Sequence, residues 1–61
     1  MDVHSLVNSI VKIITIDNKI IQGQLVSIDQ VSNCVLRDAK VDDIDIEAYF
    51  IRGDSIAVLG R

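Results

Sequence analysis

Lys19-Ile20-Ile21-Gln22-Gly23-Gln24-Leu25-Val26-Ser27-Ile28-Asp29 is the stretch on which the fold turns. β-Branched residues at 20, 21, 26 and 28 favour an extended chain, because their crowded Cβ packs well on a pleated surface. Residues 19–29 therefore read as one long strand. Gly23 stands in its middle, where a glycine weakens packing unless the strand has to bend. A long strand with an internal glycine is a device for curling one sheet into a barrel.

Working outward, Asp17-Asn18 is a tight turn of the kind that joins antiparallel strands, and 10–17 before it is a β-branched run. On the other side, residues 29–33 form a polar turn and 34–40 a third strand. Val41-Asp42-Asp43 is a short acidic connection to a fourth strand, 44–52, with Ile44, Ile46, Ala48 and Phe50 on one face. After Gly53-Asp54 a fifth strand, 55–60, is apolar on both faces. At the front, Val3, Leu6, Val7 and Ile10 recur at helical spacing behind a capping Asp2, which predicts a short helix over 2–9. The pattern is that of one mainly β domain over 1–61: a short helix, then a strongly bent, five-stranded antiparallel sheet. An SH3-like or an OB-like barrel both satisfy it, and an aliphatic α+β domain is the alternative.

Size and composition say how such a sheet is stabilised. The chain has 61 residues, and 49% are hydrophobic, with eleven isoleucines and eight valines. A core this small is marginal. Disulfides, metals and oligomers are the usual remedies. One cysteine, Cys34, rules out an internal disulfide, and one histidine, His4, leaves no His/Cys cluster for zinc. Association remains. A strand that is apolar on both faces at the edge of a barrel invites pairing with another chain. Phe50 and Ile51 on strand four, and Ile56 and Val58 on strand five, are the candidate interface residues.

The net charge of −3 argues against coating nucleic acid by charge alone, so any RNA contact must be local. No nucleophile–base pair or phosphate loop is present, and the chain reads as a non-enzyme with no cofactor and no small-molecule substrate. No apolar run is long enough for a membrane helix. An unpaired cysteine suits a reducing compartment.

Two segments resemble the paired motifs of the Sm and Sm-like family. Gly23-Gln24-Leu25, then Asp29, Asn33 and Leu36, is similar to the first. Tyr49-Phe50-Ile51-Arg52-Gly53-Asp54-Ser55-Ile56 is similar to the second, hydrophobic-Arg-Gly-Asn/Asp. Within the family, 50–60 and the Asp29-Gln30 opening are most similar to the eighth-subunit branch. That branch distinguishes a nuclear ring from a cytoplasmic one.

The resemblance implies the Sm fold and a seven-membered hetero-ring of Sm-like subunits. It implies binding of uridine-rich RNA, specifically the 3′ end of the U6 small nuclear RNA in pre-mRNA splicing, in the nucleus. It also implies that the two motif turns meet at the lumen of the ring. There the amide of Asn33 would read a uracil edge, Asp29 would orient that amide, and Arg52 would stack on the base. Gly53 would supply a positive-φ or crowded turn position, with Asp54 beside it. The sequence departs from the family pattern at Val31, where a stacking side chain is common, and at Ser32, where a large apolar one is. A purely structural ring subunit and a homomeric RNA-chaperone ring are the competing functions.

Some features invite other readings. Asp42, Asp43, Asp45 and Glu47 lack the spacing of a calcium loop and read as a solvated acidic connection. Cys34 opens an apolar strand and reads as a small core residue.

Overall fold

The computed structural model describes residues 6–61. Residues 2–5 of the expected helix lie outside the described residues. Residues 6–9 form a tight turn, closed by the Ser9 N–H donating to the Leu6 carbonyl at 2.9 Å. Five strands follow: β1 Ile10–Thr15, β2 Ile20–Ile28, β3 Cys34–Val41, β4 Ile44–Ile51 and β5 Ile56–Gly60. They form one antiparallel sheet in the order β4-β3-β2-β1-β5. The all-β, bent, five-stranded architecture expected from the sequence is the one observed.

The bend is made by bulges, which can be seen as slips in the inside–outside alternation. In β1, Val11, Ile13 and Thr15 point inward in strict alternation. In β2 the buried positions run Ile21, Gly23, Leu25 and then Ile28, three residues on. The register slips between Leu25 and Ser27, and without the slip Ser27 would face the core. In β3 the buried positions run Cys34, Leu36 and then Ala39, again three apart. Here Asp38, at φ 52°, is the extra residue opposite Gly23. Gly23 is needed at this crossing: a Cβ there would lie 3.0 Å from the Ala39 Cα. The slips keep apolar residues inward while the sheet curls.

Turns follow from their residues. Asp42 and Asp43 both have positive φ (49° and 69°), so β3 and β4 are joined by a two-residue hairpin turn matched to strand twist. Asn18, at φ 66°, closes the β1–β2 turn by donating to the Thr15 carbonyl at 2.9 Å. Gly53–Ser55 is one 3-10 turn, so β5 starts at Ile56.

The core is Leu6, Val11, Ile13, Ile21, Leu25, Ile28, Cys34, Leu36, Ala39 and Ile51. Leu6 closes one end, its segment held by the Asn8 N–H donating to the Leu25 carbonyl at 2.7 Å. Strand four departs from the expectation that Ile44, Ile46, Ala48 and Phe50 share one face: Ile46 pairs with the buried Ala39 and is half-buried, whereas Ala48 pairs with the exposed Arg37 and is exposed. Ile44 and Phe50 are 65% and 59% exposed. Ile51, expected at an interface, is 4% exposed and belongs to the core. The reason is alternation: once Ile51 and Tyr49 pack inward, Phe50 must point out. β4 and β5 are the two edges of the sheet, and Val58 on β5 is 55% exposed, while Ile56 packs against the core.

Candidate nucleic-acid interface

The turn between β2 and β3 is built around one carboxylate. Asp29 Oδ1 accepts the Val31 N–H at 3.0 Å and the Asn33 N–H at 2.9 Å, while Oδ2 accepts the Asn33 Nδ2–H at 3.0 Å. These bonds, the Asn33 backbone N–H foremost, hold the carboxyl below the usual range against the opposing effect of burial. The backbone closes on itself: the Ser32 N–H donates to the Asp29 carbonyl at 3.0 Å and the Asp29 N–H to the Asn33 carbonyl at 3.1 Å. Ser32 sits in the left-handed region at φ 66°.

A second loop leans on this turn. The Gly53 N–H donates to Asn33 Oδ1 at 2.7 Å. Gly53 is required by crowding, because a Cβ there would fall 1.9 Å from the Val31 carbonyl oxygen. Its φ is not positive, which removes one of the two reasons expected for it. The Asn33 amide thus bridges both motifs. A backbone donor on one side and a carboxylate on the other set which way round it sits.

Hydrogen-bond counting shows what is left over. Asn33 Oδ1 has given one lone pair to Gly53, and Nδ2 has given one N–H to Asp29. One N–H and one lone pair remain for a ligand. Arg52 donates to Asp54 Oδ2 at 3.0 Å with both side chains largely exposed, a pair that orients the guanidinium without neutralising its flat face. Val31, Asn33, Arg52 and Asp54 together line a depression of about 220 Å³. Val31 stands 68% exposed on its rim and offers an apolar contact but no π-face.

The two motifs single out Asn33, Arg52, Asp29, Val31, Gly53 and Asp54. The structure brings four of them to the depression and puts Asp29 and Gly53 behind Asn33 as its supports. The left-handed Ser32 is a feature that reading missed, since glycine or asparagine, not serine, is the usual signal for that backbone. Cys34, next in the chain, is buried, and its thiol is pushed up by burial and by the nearby Asp29 carboxylate.

A comparison with curated proteins finds no match. Solved structures do match. The Sm-like protein of Methanococcus vannielii superposes with a TM-score of 0.90 at 24% identity, covering 97% of this chain and 88% of that one. The Sm protein of Pyrococcus abyssii, solved in complex with a uridine heptamer, gives 0.87 at 25% identity over 95% and 89%. A heptameric archaeal Sm protein gives 0.88 at 24% identity over 95% and 91%. The model of the LSM domain matches residues 1–61, and the chain belongs to that family, the Sm-like proteins.

Proposed function

We propose that this chain is an RNA-binding subunit of a ring of Sm-like chains, holding one uridine between its 29–33 turn and Arg52. One observation carries the reading: the Asn33 amide is fixed by Asp29 and Gly53 with a single N–H to spare. The free N–H and free lone pair of the fixed amide match a carbonyl oxygen beside an N–H, which is the edge uracil presents; cytosine presents an amino group beside an acceptor nitrogen, the reverse order. Bases in single-stranded RNA are recognised on such edges and by stacking on flat side chains such as arginine. The function is binding, not catalysis.

Ring membership is supported by the two sheet edges and their exposed side chains, Phe50 on β4 and Val58 on β5. Affinity would then arise from several weak sites acting together. The more specific form of the proposal is a seven-membered nuclear hetero-ring on the uridine-rich 3′ end of the U6 small nuclear RNA. It rests on the likeness of residues 50–60 to the eighth-subunit branch.

The test is oligouridine binding by the assembled complex carrying Asn33→Ala or Arg52→Ala. Each is expected to weaken binding by about tenfold, in line with a stacked base at ~1–3 kcal/mol. Unchanged affinity in both would leave the chain as a ring spacer. The similarity to archaeal Sm proteins favours a second form, a ring of identical chains. Native mass spectrometry of the chain expressed alone separates it from a hetero-ring, and the RNA recovered with the nuclear complex tests the U6 assignment.

A further inference from the structure

The net charge of −3 poses a question for any RNA site: where does the phosphate go? In four of the surface depressions among the described residues, carboxylates are at least as many as cations. Asp38, Asp45 and Glu47 line one with no cation at all. Arg37 faces Asp38 and Glu47 in a second, and Lys40 faces Asp42 and Asp43 in a third. In the Asn33 depression, Arg52 is balanced by Asp54. Another depression is different. Lys19 and Arg52 line it against one carboxylate, Asp17, which is engaged by the Thr15 hydroxyl.

This cavity shares Arg52 with the Asn33 depression, so the two are adjacent. It measures about 400 Å³ against about 220 Å³. The smaller depression suits a base, whereas the larger one is in the range of pockets that take a whole small ligand. Its floor is Ile21 and Ile51, both buried. Tyr49 and Ser55, each half-buried, add an aromatic ring and a hydroxyl. The β1–β2 turn, which presents Lys19, is tied to this end by the Ile16 N–H donating to the Ser55 carbonyl at 2.9 Å.

We infer that the RNA site continues past Arg52 into this cavity. There Lys19 and Arg52 straddle the phosphodiester that joins the uridine at Asn33 to the next nucleotide, whose base lies in the cavity beside Tyr49 and Phe50. The inference rests on the RNA-binding reading above and extends it from one nucleotide per subunit to two. Arg52 serves both, its flat face to one base and its charge to the linking phosphate.

The test compares Lys19→Ala with Lys12→Ala in the assembled complex, by oligouridine titration over a range of salt. Lys12 is an exposed lysine on β1 that lies outside the cavity. Removing one phosphate contact from a single strand should lower the salt slope by about 0.7, which is about fivefold in affinity near 0.1 M salt and nothing near 1 M. Lys19→Ala should show that loss and Lys12→Ala should not. Equal losses in the two variants would mean diffuse attraction and overturn the inference. So would a Lys19→Ala change in assembly mass with RNA affinity intact, since the cavity would then be a seat for a neighbouring copy. If Asn33→Ala weakens binding and Lys19→Ala leaves it unchanged, only the second nucleotide is lost; if neither matters, the RNA reading itself falls.

Discussion

Asn33 and Gly53, twenty positions apart in the chain, are joined by a 2.7 Å hydrogen bond from the glycine N–H to the asparagine side-chain oxygen. Through it the turn between β2 and β3 and the loop between β4 and β5 become one unit. The bond is partly shielded from water, and the glycine beneath it is packed against the Val31 carbonyl. The proposed binding site and local stability therefore share the same contact.

Gly53→Ala tests that contact. The new methyl would meet the Val31 oxygen at 1.9 Å and the Ser32 carbonyl carbon at 2.9 Å, both backbone atoms with no rotamer to escape into. One loop must move, and the Asn33 bond goes with it. Overpacking and one lost hydrogen bond together suggest about 2–4 kcal/mol. At ~4–8 °C per kcal/mol for a domain of this size, thermal melting should fall by roughly 10 °C or more. Gly60→Ala, whose methyl would meet nothing within 4 Å, should stay within about 0.5 kcal/mol of the parent. Equal melting of the two variants would show that the crowding at Gly53 relaxes freely.

Asp29 gives the turn a pH dependence of definite sign. Its carboxyl is held below the usual value by the hydrogen bonds it accepts, from the Asn33 N–H first. The contribution is present above the unfolded pKa, about 3.9, and is lost as pH falls through the lower folded value. Asp29→Asn removes that contribution at every pH. The gap in melting temperature between parent and variant should be widest near neutrality and close below about pH 3.9. A gap that stays constant with pH would remove the charged carboxylate from the account.

Edge pairing makes a prediction that separates folding from assembly. Phe50 and Val58 are more than half exposed on the two edge strands. Changing either to lysine should leave the fold of the single chain within about 0.5 kcal/mol, as for other surface sites. A charge buried at a strand–strand joint is another matter. Sedimentation should show the variants failing to join the ring. A variant that assembles with unchanged mass would place the joint elsewhere.

Much of the architecture was legible because it is written locally. Gly23 within a β-branched run announced the bend, Asp42-Asp43 the connection to β4, and the β-branched run at 10–17 the first strand. Strand four was only half legible. Ile44, Ile46, Ala48 and Phe50 form a period-two apolar row that reads as one face. The slip at Asp38 splits it: Ile46 is half-buried beside its partner Ala39, while Ala48 and Phe50 are exposed and Tyr49 and Ile51 pack inward. Ser32 was illegible, because its left-handed backbone comes from the Asp29 cage and not from serine's own preference.

Sequence alone determined the strand content and singled out the side chains of the two motif turns, since both depend on residue type and near-neighbour spacing. Tertiary structure decided where the inward face of β4 slips, that Asn33 keeps one N–H and one lone pair free, and that Lys19 shares a cavity with Arg52. Those are relations between residues far apart in the chain. They exist only once bulges at Asp38 and Val26 have curled the sheet and brought the ends of β1, β3 and β4 together.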